Sequence, residues 1–269
     1  MKHVFILCLA LVTSAGTAVA DTGNSALRPL DKDYEAKGWE AVGRLDLNGG
    51  YCTATLIAPS LILSAAHCVY DDSGQLRPAG DLTFRAGYRH GKTAATRTIR
   101  KIAAHRGYNP NEPLTNKNVE HDLALLELLS PILSHEVNPF ALHGERVAPG
   151  PVSVVSYGKG RSQQQSRQKE CGLEFRQGDM LVFDCNVTFG SSGAPVFSHL
   201  NGRGRILSVI SGGSKNRRGE KIALGPHLPP LVDDLKRQLR SQSTGSLAKI
   251  KRIGVGQNGS TGAKFLKVN

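Results

Sequence analysis

Short runs of alternating apolar and polar residues, separated by glycine, proline and asparagine, dominate the chain between Val42 and Ile210. Val42-Gly43-Arg44-Leu45-Asp46-Leu47 reaches Asn48-Gly49-Gly50 and resumes as Tyr51-Cys52-Thr53-Ala54-Thr55-Leu56-Ile57. An Asn-Gly pair accepts the backbone of a tight turn at little cost, so these runs predict a β-hairpin. Pro59-Ser60 predicts the next turn, ahead of Leu61-Ile62-Leu63. Further strands are predicted over Leu82–Ala86, Thr96–Ala103, Leu123–Leu128, Val152–Ser156, Met180–Phe183, Ala194–Ser198 and Arg205–Ile210, with Asn201-Gly202 turning between the last two. Many short strands at this spacing predict a barrel or a sandwich. One segment departs from the pattern. Leu228, Leu231, Val232, Leu235 and Leu239 recur at three and four residues with charges between them, which is a helical face, and Pro229-Pro230 suits its first turn.

Both ends of the chain differ from this middle. Met1-Lys2-His3 precedes an apolar run from Val4 to Val12, and small residues follow to Ala18-Val19-Ala20 before Asp21. A charged start, a short apolar core and an A-x-A site read as a secretory signal peptide over residues 1–20. The run falls short of the roughly 20 residues that span a bilayer. Cys8 lies inside that apolar run, after Phe5-Ile6-Leu7, and far from the cleavage site. About 249 of the 269 residues then remain, which suits an all-β domain built on two barrels, or two small domains. Residues 21–38 are expected to be an N-terminal extension or pro-segment, 39–240 the main domain and 241–269 a tail. The tail has Lys249, Lys251, Arg252, Lys264 and Lys267 and no acidic residue. Such a composition predicts a solvated, disordered segment with a weak attraction for anionic surfaces of the cell envelope.

Without the signal peptide four cysteines are left: Cys52, Cys68, Cys171 and Cys185. An even number in an exported chain implies disulfides, and four cysteines allow three pairings that spacing cannot separate. Cys52–Cys68 with Cys171–Cys185 is the expected set; it closes two short loops, each worth about 3 kcal/mol in the chain-entropy picture. The formal charge of +12 favours acidic partners in general, but no nucleic-acid module accompanies it, so no nucleic-acid partner is expected.

The chemistry is concentrated in three places. Leu63-Ser64-Ala65-Ala66-His67-Cys68 contains a candidate base, His121-Asp122-Leu123-Ala124-Leu125-Leu126 a candidate orienting carboxylate, and Gly190-Ser191-Ser192-Gly193-Ala194-Pro195 a candidate nucleophile. A serine hydroxyl attacks only when a base takes its proton and a third group holds that base. The order His67, Asp122, Ser192 separates this set from the α/β-hydrolases and subtilisins, and Ala194 stands where a nucleophile elbow needs its last glycine. Cys68 follows His67 directly, so a bond to Cys52 would pin the turn that carries the base.

These motifs, with Cys52-Thr53-Ala54-Thr55-Leu56-Ile57-Ala58-Pro59, His105-Arg106-Gly107-Tyr108-Asn109 and Asp184-Cys185, resemble those of the chymotrypsin/trypsin-like serine proteases, especially the bacterial secreted branch. The resemblance runs from about Trp39 to Arg240. It implies two six-stranded antiparallel β-barrels with a C-terminal helix, protein or peptide substrates, and hydrolysis through an acyl-enzyme. By the same resemblance Ser192 is the nucleophile, His67 the base, Asp122 its orienter, and the backbone N–H groups of Gly190 and Ser192 the oxyanion hole. The substrate pocket would be formed by Asn186 at its base and Ser211, Gly212 and Gly213 along its wall.

Two departures narrow the resemblance. Animal members carry Asp before the nucleophile to receive a freshly cut N-terminus, and here the residue is Ser191. The Ile-Val-Gly-Gly start that supplies that terminus is also missing, so activation by N-terminal insertion is not expected. Asn186 lacks the carboxylate of a trypsin-type pocket, and Ile210 stands where Glu-specific relatives place histidine. Lys215, Arg217 and Arg218 lie just beyond the wall, as a solvated loop or an attraction for acidic side chains. His135 with His143, and His199 with His227, lack metal-ligand spacing, and Asp71-Asp72-Ser73-Gly74 offers an incomplete calcium ligand set and reads as a polar turn. No metal or other cofactor is therefore expected. The expected protein is an exported monomer, in the periplasm or outside the cell. A catalytically silent binding protein on the same fold, or an esterase with the same triad, is the alternative.

Overall fold

A computed structural model describes residues 24–144, 148–199 and 204–247, with side chains up to Gln242. The expected signal peptide over residues 1–20, the expected turn at Asn201-Gly202 and the expected tail after Leu247 lie outside the described residues. Seven strands occupy the first half: β1 Leu27–Pro29, β2 Val42–Leu47, β3 Gly50–Ala58, β4 Leu61–Ser64, β5 Thr83–Ala86, β6 Ala95–Ala104 and β7 Ala124–Leu128. Seven more follow: β8 Gly150–Gly158, β9 Arg161–Gln177, β10 Met180–Phe183, β11 Pro195–Ser198, β12 Arg205–Val209, β13 Gly212–Lys215 and β14 Lys221–Pro226. The helices are α1 Asp33–Ala36, α2 Asn116–Glu120 and α3 Pro229–Leu247.

The hydrophobic alternation decides how these strands close. Strands β2 and β3 pair from Leu47 and Gly50 to Val42 and Thr55, so Asn48-Gly49 makes the hairpin turn its residues suit. Around them β2-β3-β4-β7-β6-β5 forms a closed antiparallel barrel, filled by Leu45, Leu56, Ile62, Leu63, Phe84 and Leu125. Each such fully buried side chain contributes about 1.5–3 kcal/mol of hydrophobic free energy. The second half is an antiparallel half-barrel in the order β12-β11-β8-β9-β10-β14-β13, with β1 added to β9; Val154, Leu181, Phe183, Val196 and Ile210 fill its core. The all-β, two-part architecture with a C-terminal helix is thus the one expected from the sequence.

Both flanks of the expected 39–240 domain are tied to it. Within the expected extension or pro-segment, Leu27, Arg28 and Pro29 pair with Gln168, Arg167 and Ser166 of β9, and Leu30 is buried in the core. The periodic helix also continues past Arg240 to Leu247, into the stretch expected to be tail. Its side chain Gln242 Nε2 donates to the carbonyl of Ile102 on β6 at 3.0 Å, which holds that turn against the barrel. Upstream, Leu228, Leu231, Val232, Leu235 and Leu239 pack into the same core cluster as the first barrel, over β6 and β7.

Candidate active site

His67 lies on a 3-10 turn, Ala66–Val69, that leaves the end of β4. The Cys52–Cys68 disulfide ties this turn to β3, and Cys171–Cys185 ties β9 to the loop after β10. Asp122 sits between α2 and β7, at the mouth of the same barrel. Helix α2 is started by Thr115, whose hydroxyl accepts the N–H of Asn118 at 3.2 Å, satisfying a helix-end donor. The buried Asn118 amide then donates to the carbonyls of Asn109 and Glu112, fixing the loop in front of Asp122.

The two groups meet with short, directed contacts. His67 Nδ1 lies 2.7 Å from Asp122 Oδ2, and the His67 backbone N–H donates to Asp122 Oδ1 at 2.9 Å. Ser211 Oγ also donates to Asp122 Oδ2. The carboxylate is 2 % exposed, and the imidazole 32 %. A carboxylate so placed selects the tautomer with the proton on Nδ1 and leaves Nε2 as the acceptor facing the cleft. Burial resists protonation of His67, but the charge and hydrogen bond of Asp122 outweigh it and raise the imidazole pKa above its ordinary value. The neutral base is therefore lost on acidification earlier than from a free histidine. The acidic limb of kcat/KM is expected to have its midpoint above about 6.5, the ordinary imidazole value; a pH–rate profile with a lower midpoint contradicts the assignment. For folding the sign is opposite: stabilisation by the charged pair is complete at acid pH and is lost as pH rises through the His67 pKa.

Ser192 comes from the other half of the molecule, on the loop between β10 and β11. Three contacts hold this loop against β3 and β4. The Thr53 N–H donates to the Ser192 carbonyl at 2.8 Å, Thr53 Oγ1 donates to the Gly190 carbonyl at 2.8 Å, and Gly193 packs where a Cβ would collide with Thr53 O and Ser64 Oγ. Gly193 also has φ of +75°, and Gly190, pressed against the Tyr51 ring, has φ of +87°. Both positions need glycine for space and for backbone conformation. Within the loop Ser191, Gly193 and Ala194 donate their N–H groups to Thr188, Ile210 and Ser191 carbonyls. The N–H groups of Gly190 and Ser192 have no acceptor among the described residues. Ser192 Oγ makes no hydrogen bond to His67 in this structure; such contacts commonly tighten only when substrate is bound.

The expected pocket residues divide. Asn186 is exposed, with its N–H donated to Gln168 Oε1 at 2.7 Å. Gly212 and Gly213 open β13, next to Leu114 and Val187 respectively. Ser211 turns its hydroxyl away from that wall, onto Asp122. Beside the His67–Asp122 pair is a cavity of about 180 Å³ lined by His67, Tyr108, Leu114, Asn118, Asp122 and Ser211, among others. Arg218 pairs with Glu220 at 3.1 Å, which reduces the positive charge of the loop beyond the wall. Asp71 accepts from Ser73 and Gln75 within its own turn, as a self-contained polar turn does.

The parts that Thr53, Ser64 and Ser211 play in holding Asp122 and the Ser192 loop are not revealed by motif reading. Their signal is weak but physical: each is a buried hydroxyl in an otherwise apolar stretch, and buried hydroxyls need partners.

Residues 31–226 match the family model for Trypsin. The chain belongs to the trypsin family of chymotrypsin-like serine proteases. It is similar to a modular serine protease of Drosophila melanogaster, at 37% identity over 100 residues, covering 34% of this chain and 15% of that protein. It is also similar to a trypsin of Sarcophaga bullata, at 26% identity over 163 residues, covering 60% of this chain and 59% of that protein. The matches thus span less than two thirds of either relative. Among solved structures, a Glu endopeptidase in complex with MPD superposes with TM-score 0.66 at 17% identity, over 82% of this chain and 99% of that one. A thermostable serine protease, AL20, from an extremophilic microorganism gives TM-score 0.60 at 18% identity, over 76% of this chain and 98% of that one. These two likenesses are of fold.

Proposed function

We propose that the protein is an exported serine endopeptidase. The observation that carries this reading is the His67–Asp122 pair, fixed by Ser211, at the junction where Thr53 and Gly193 dock the Ser192 loop. Ser192 Oγ attacks the peptide carbonyl while His67 Nε2 takes its proton, and the oxyanion is received by the Gly190 and Ser192 amides. The imidazolium, stabilised by Asp122, then protonates the leaving amine. Water, activated by the same histidine, releases the acyl group and restores Ser192. In acyl-transfer sites a single aimed donor is worth about 10²–10³ in kcat, so two unengaged amides at this position support hydrolysis over mere binding.

A fluorophosphonate probe tests the reading: covalent labelling of the wild-type chain at Ser192 is expected. An unlabelled wild type would sink the enzyme and leave the silent binding protein. Cleavage of peptide bonds in a denatured protein mixture distinguishes endopeptidase from esterase. The pocket reading remains Asn186 with the Ser211, Gly212 and Gly213 backbone. It offers no carboxylate for Lys or Arg, and buried Ile210 offers no imidazole for Glu.

Export rests on residues 1–20 and on two disulfides, which persist in oxidising compartments. Among the described residues no helix is long and apolar enough to cross a membrane. The reading extends to the bacterial secreted branch, because Ser191 and the region around Trp39 lack the animal zymogen features. It also includes a domain that ends with α3 near Leu247 and a monomer. Both chain ends can be tested on one exported product. N-terminal sequencing is expected to start at Asp21, and removing residues 248–269, which spares α3, is expected to cost envelope binding but not activity. A product starting elsewhere, or unchanged binding, overturns the corresponding assignment.

A further inference from the structure

Ser191 is fully buried and lies between the two residues whose amides would receive the oxyanion. Its hydroxyl accepts the Thr188 N–H at 3.3 Å and donates to Ser156 Oγ at 3.3 Å. Its third contact is a cation: Arg161 Nη2 donates to Ser191 Oγ at 3.2 Å. The rest of that guanidinium is fixed by Ser156, on β8. Nη1 donates to the Ser156 carbonyl at 2.8 Å, and both Nη atoms lie 3.1 Å from Ser156 Oγ. Gly158 leaves the space, since a Cβ there would press on the guanidinium. One turn earlier in the same hairpin, the Lys159 N–H donates to the Phe189 carbonyl at 2.7 Å. The β8–β9 turn and the start of β9 thus hold the nucleophile loop at Phe189 and at Ser191.

The acceptors that hold this guanidinium are neutral oxygens of Ser156 and Ser191. A half-buried cation with neutral partners alone pays desolvation that no opposite charge repays, so packing does not explain an arginine here. Burial accordingly pulls the Arg161 pKa down, opposed by Tyr51, yet arginine keeps its proton throughout the working range of proteins. What the position supplies is a rigid, planar donor set that never titrates. Animal members meet the same loop with an aspartate and a new chain terminus; this chain has a hydroxyl and an internal side chain.

We propose that Arg161 is a positioning residue for the oxyanion hole: from the start of β9 it holds Ser191, and through it the Gly190 and Ser192 amides, without a cut N-terminus. The inference rests on Ser192 being the nucleophile. Misplacing catalytic groups by about an ångström costs roughly 10²-fold in rate. Arg161→Gln is therefore expected to lower kcat by about 10–100-fold, with KM within about twofold of wild type because substrate contacts are untouched. Arg161→Lys, which keeps the charge but loses the fork, is expected to recover part of that loss.

The decisive measurement is coupling with Ser191→Asp, read by active-site-titrated kinetics. Next to Arg161 the new carboxylate has a partner; once Arg161→Gln removes the cation, it is a buried, unpaired charge. The kcat loss caused by Arg161→Gln is expected to be at least about tenfold larger in the Ser191→Asp background than in the wild-type background. Wild-type kcat in Arg161→Gln, or losses that simply multiply, overturns the proposal. Should Arg161→Gln not fold, Ser191→Asp alone decides: a raised melting temperature supports the pairing and a lowered one refutes it. Fluorophosphonate labelling of the wild type keeps the two ideas apart. A labelled wild type with an indifferent Arg161 rejects this inference only, whereas an unlabelled wild type rejects the proposed function.

Discussion

Replacing Ser192 with alanine is expected to lower kcat for peptide hydrolysis by about five to six orders of magnitude and to abolish fluorophosphonate labelling. The fold should survive, because Ser192 is held by its carbonyl, which accepts from Thr53, and alanine retains that carbonyl. The variant should also keep a small activity above the uncatalysed rate. The backbone amides at positions 190 and 192 remain, and such a residue set supplies roughly 10³–10⁴ over water by itself. Purified variant and wild type compared on one peptide, with the melting temperature as a control for folding, make the check. A loss below about a hundredfold in a well-folded variant would show that another group attacks.

Asp122→Asn is the second large effect, expected at about 10⁴ in kcat with KM little changed. The carboxylate accepts three donors: the His67 backbone N–H, the His67 ring and the Ser211 hydroxyl. An amide offers one acceptor oxygen and one NH₂. If the oxygen keeps the backbone N–H, the NH₂ faces Nδ1, and the ring proton must move to Nε2, where the Ser192 proton should go. If it turns the other way, a backbone donor faces a donor, at about 1–3 kcal/mol. Loss of the Asp122 charge also removes what holds the His67 pKa up, so the residual activity should persist to lower pH than in wild type. An acidic limb that stays where it was would show that Asp122 does not govern the histidine.

Much of this was legible in the chain because chemistry and hydrophobic period coincide there. Strand β2 spans Val42–Leu47 and β10 spans Met180–Phe183, as their apolar runs predict. Strand β9, the longest among the described residues, left no such trace. Its stretch Arg161-Ser162-Gln163-Gln164-Gln165-Ser166-Arg167-Gln168 has no apolar period, yet Gln165, Ser166 and Gln168 are buried. Two of them are anchored by hydrogen bonds: Gln165 donates to the carbonyls of Trp39 and Val42, and Gln168 Oε1 accepts the Asn186 N–H, while Gln168 Nε2 is buried without a partner among the described residues. A polar strand held in part by distant backbone looks like a loop when only periodicity is read. Strand β13, Gly212-Gly213-Ser214-Lys215, escaped because it has no apolar period, and β14 because its apolar run, Ile222-Ala223-Leu224, is only three residues long.

The site divides along the same line. His67, Asp122 and Ser192 stand in motifs whose order identifies them, and Gly193 belongs to the motif as well. Thr53 and Arg161 act through contacts with residues more than a hundred and about thirty positions away, and no local pattern encodes such a meeting. Ser211 was noticed as pocket wall, but the direction of its side chain is set by packing and not by sequence neighbours.

The closing helix has a consequence for how the protein is made. Leu228 to Leu239 complete a core whose other walls come from the strands of the first barrel and from Val155, Phe197, Ile206 and Val209 of the second half, and they are the last of its members in the chain. A ribosome or an export channel delivers those walls first and their cover last. Until the final segment emerges, the barrel that carries His67 and Asp122 has an open apolar side. Long-range closure of this kind is slow relative to local folding. The face that α3 covers is therefore completed only when the last helix has been made, after every strand of both halves.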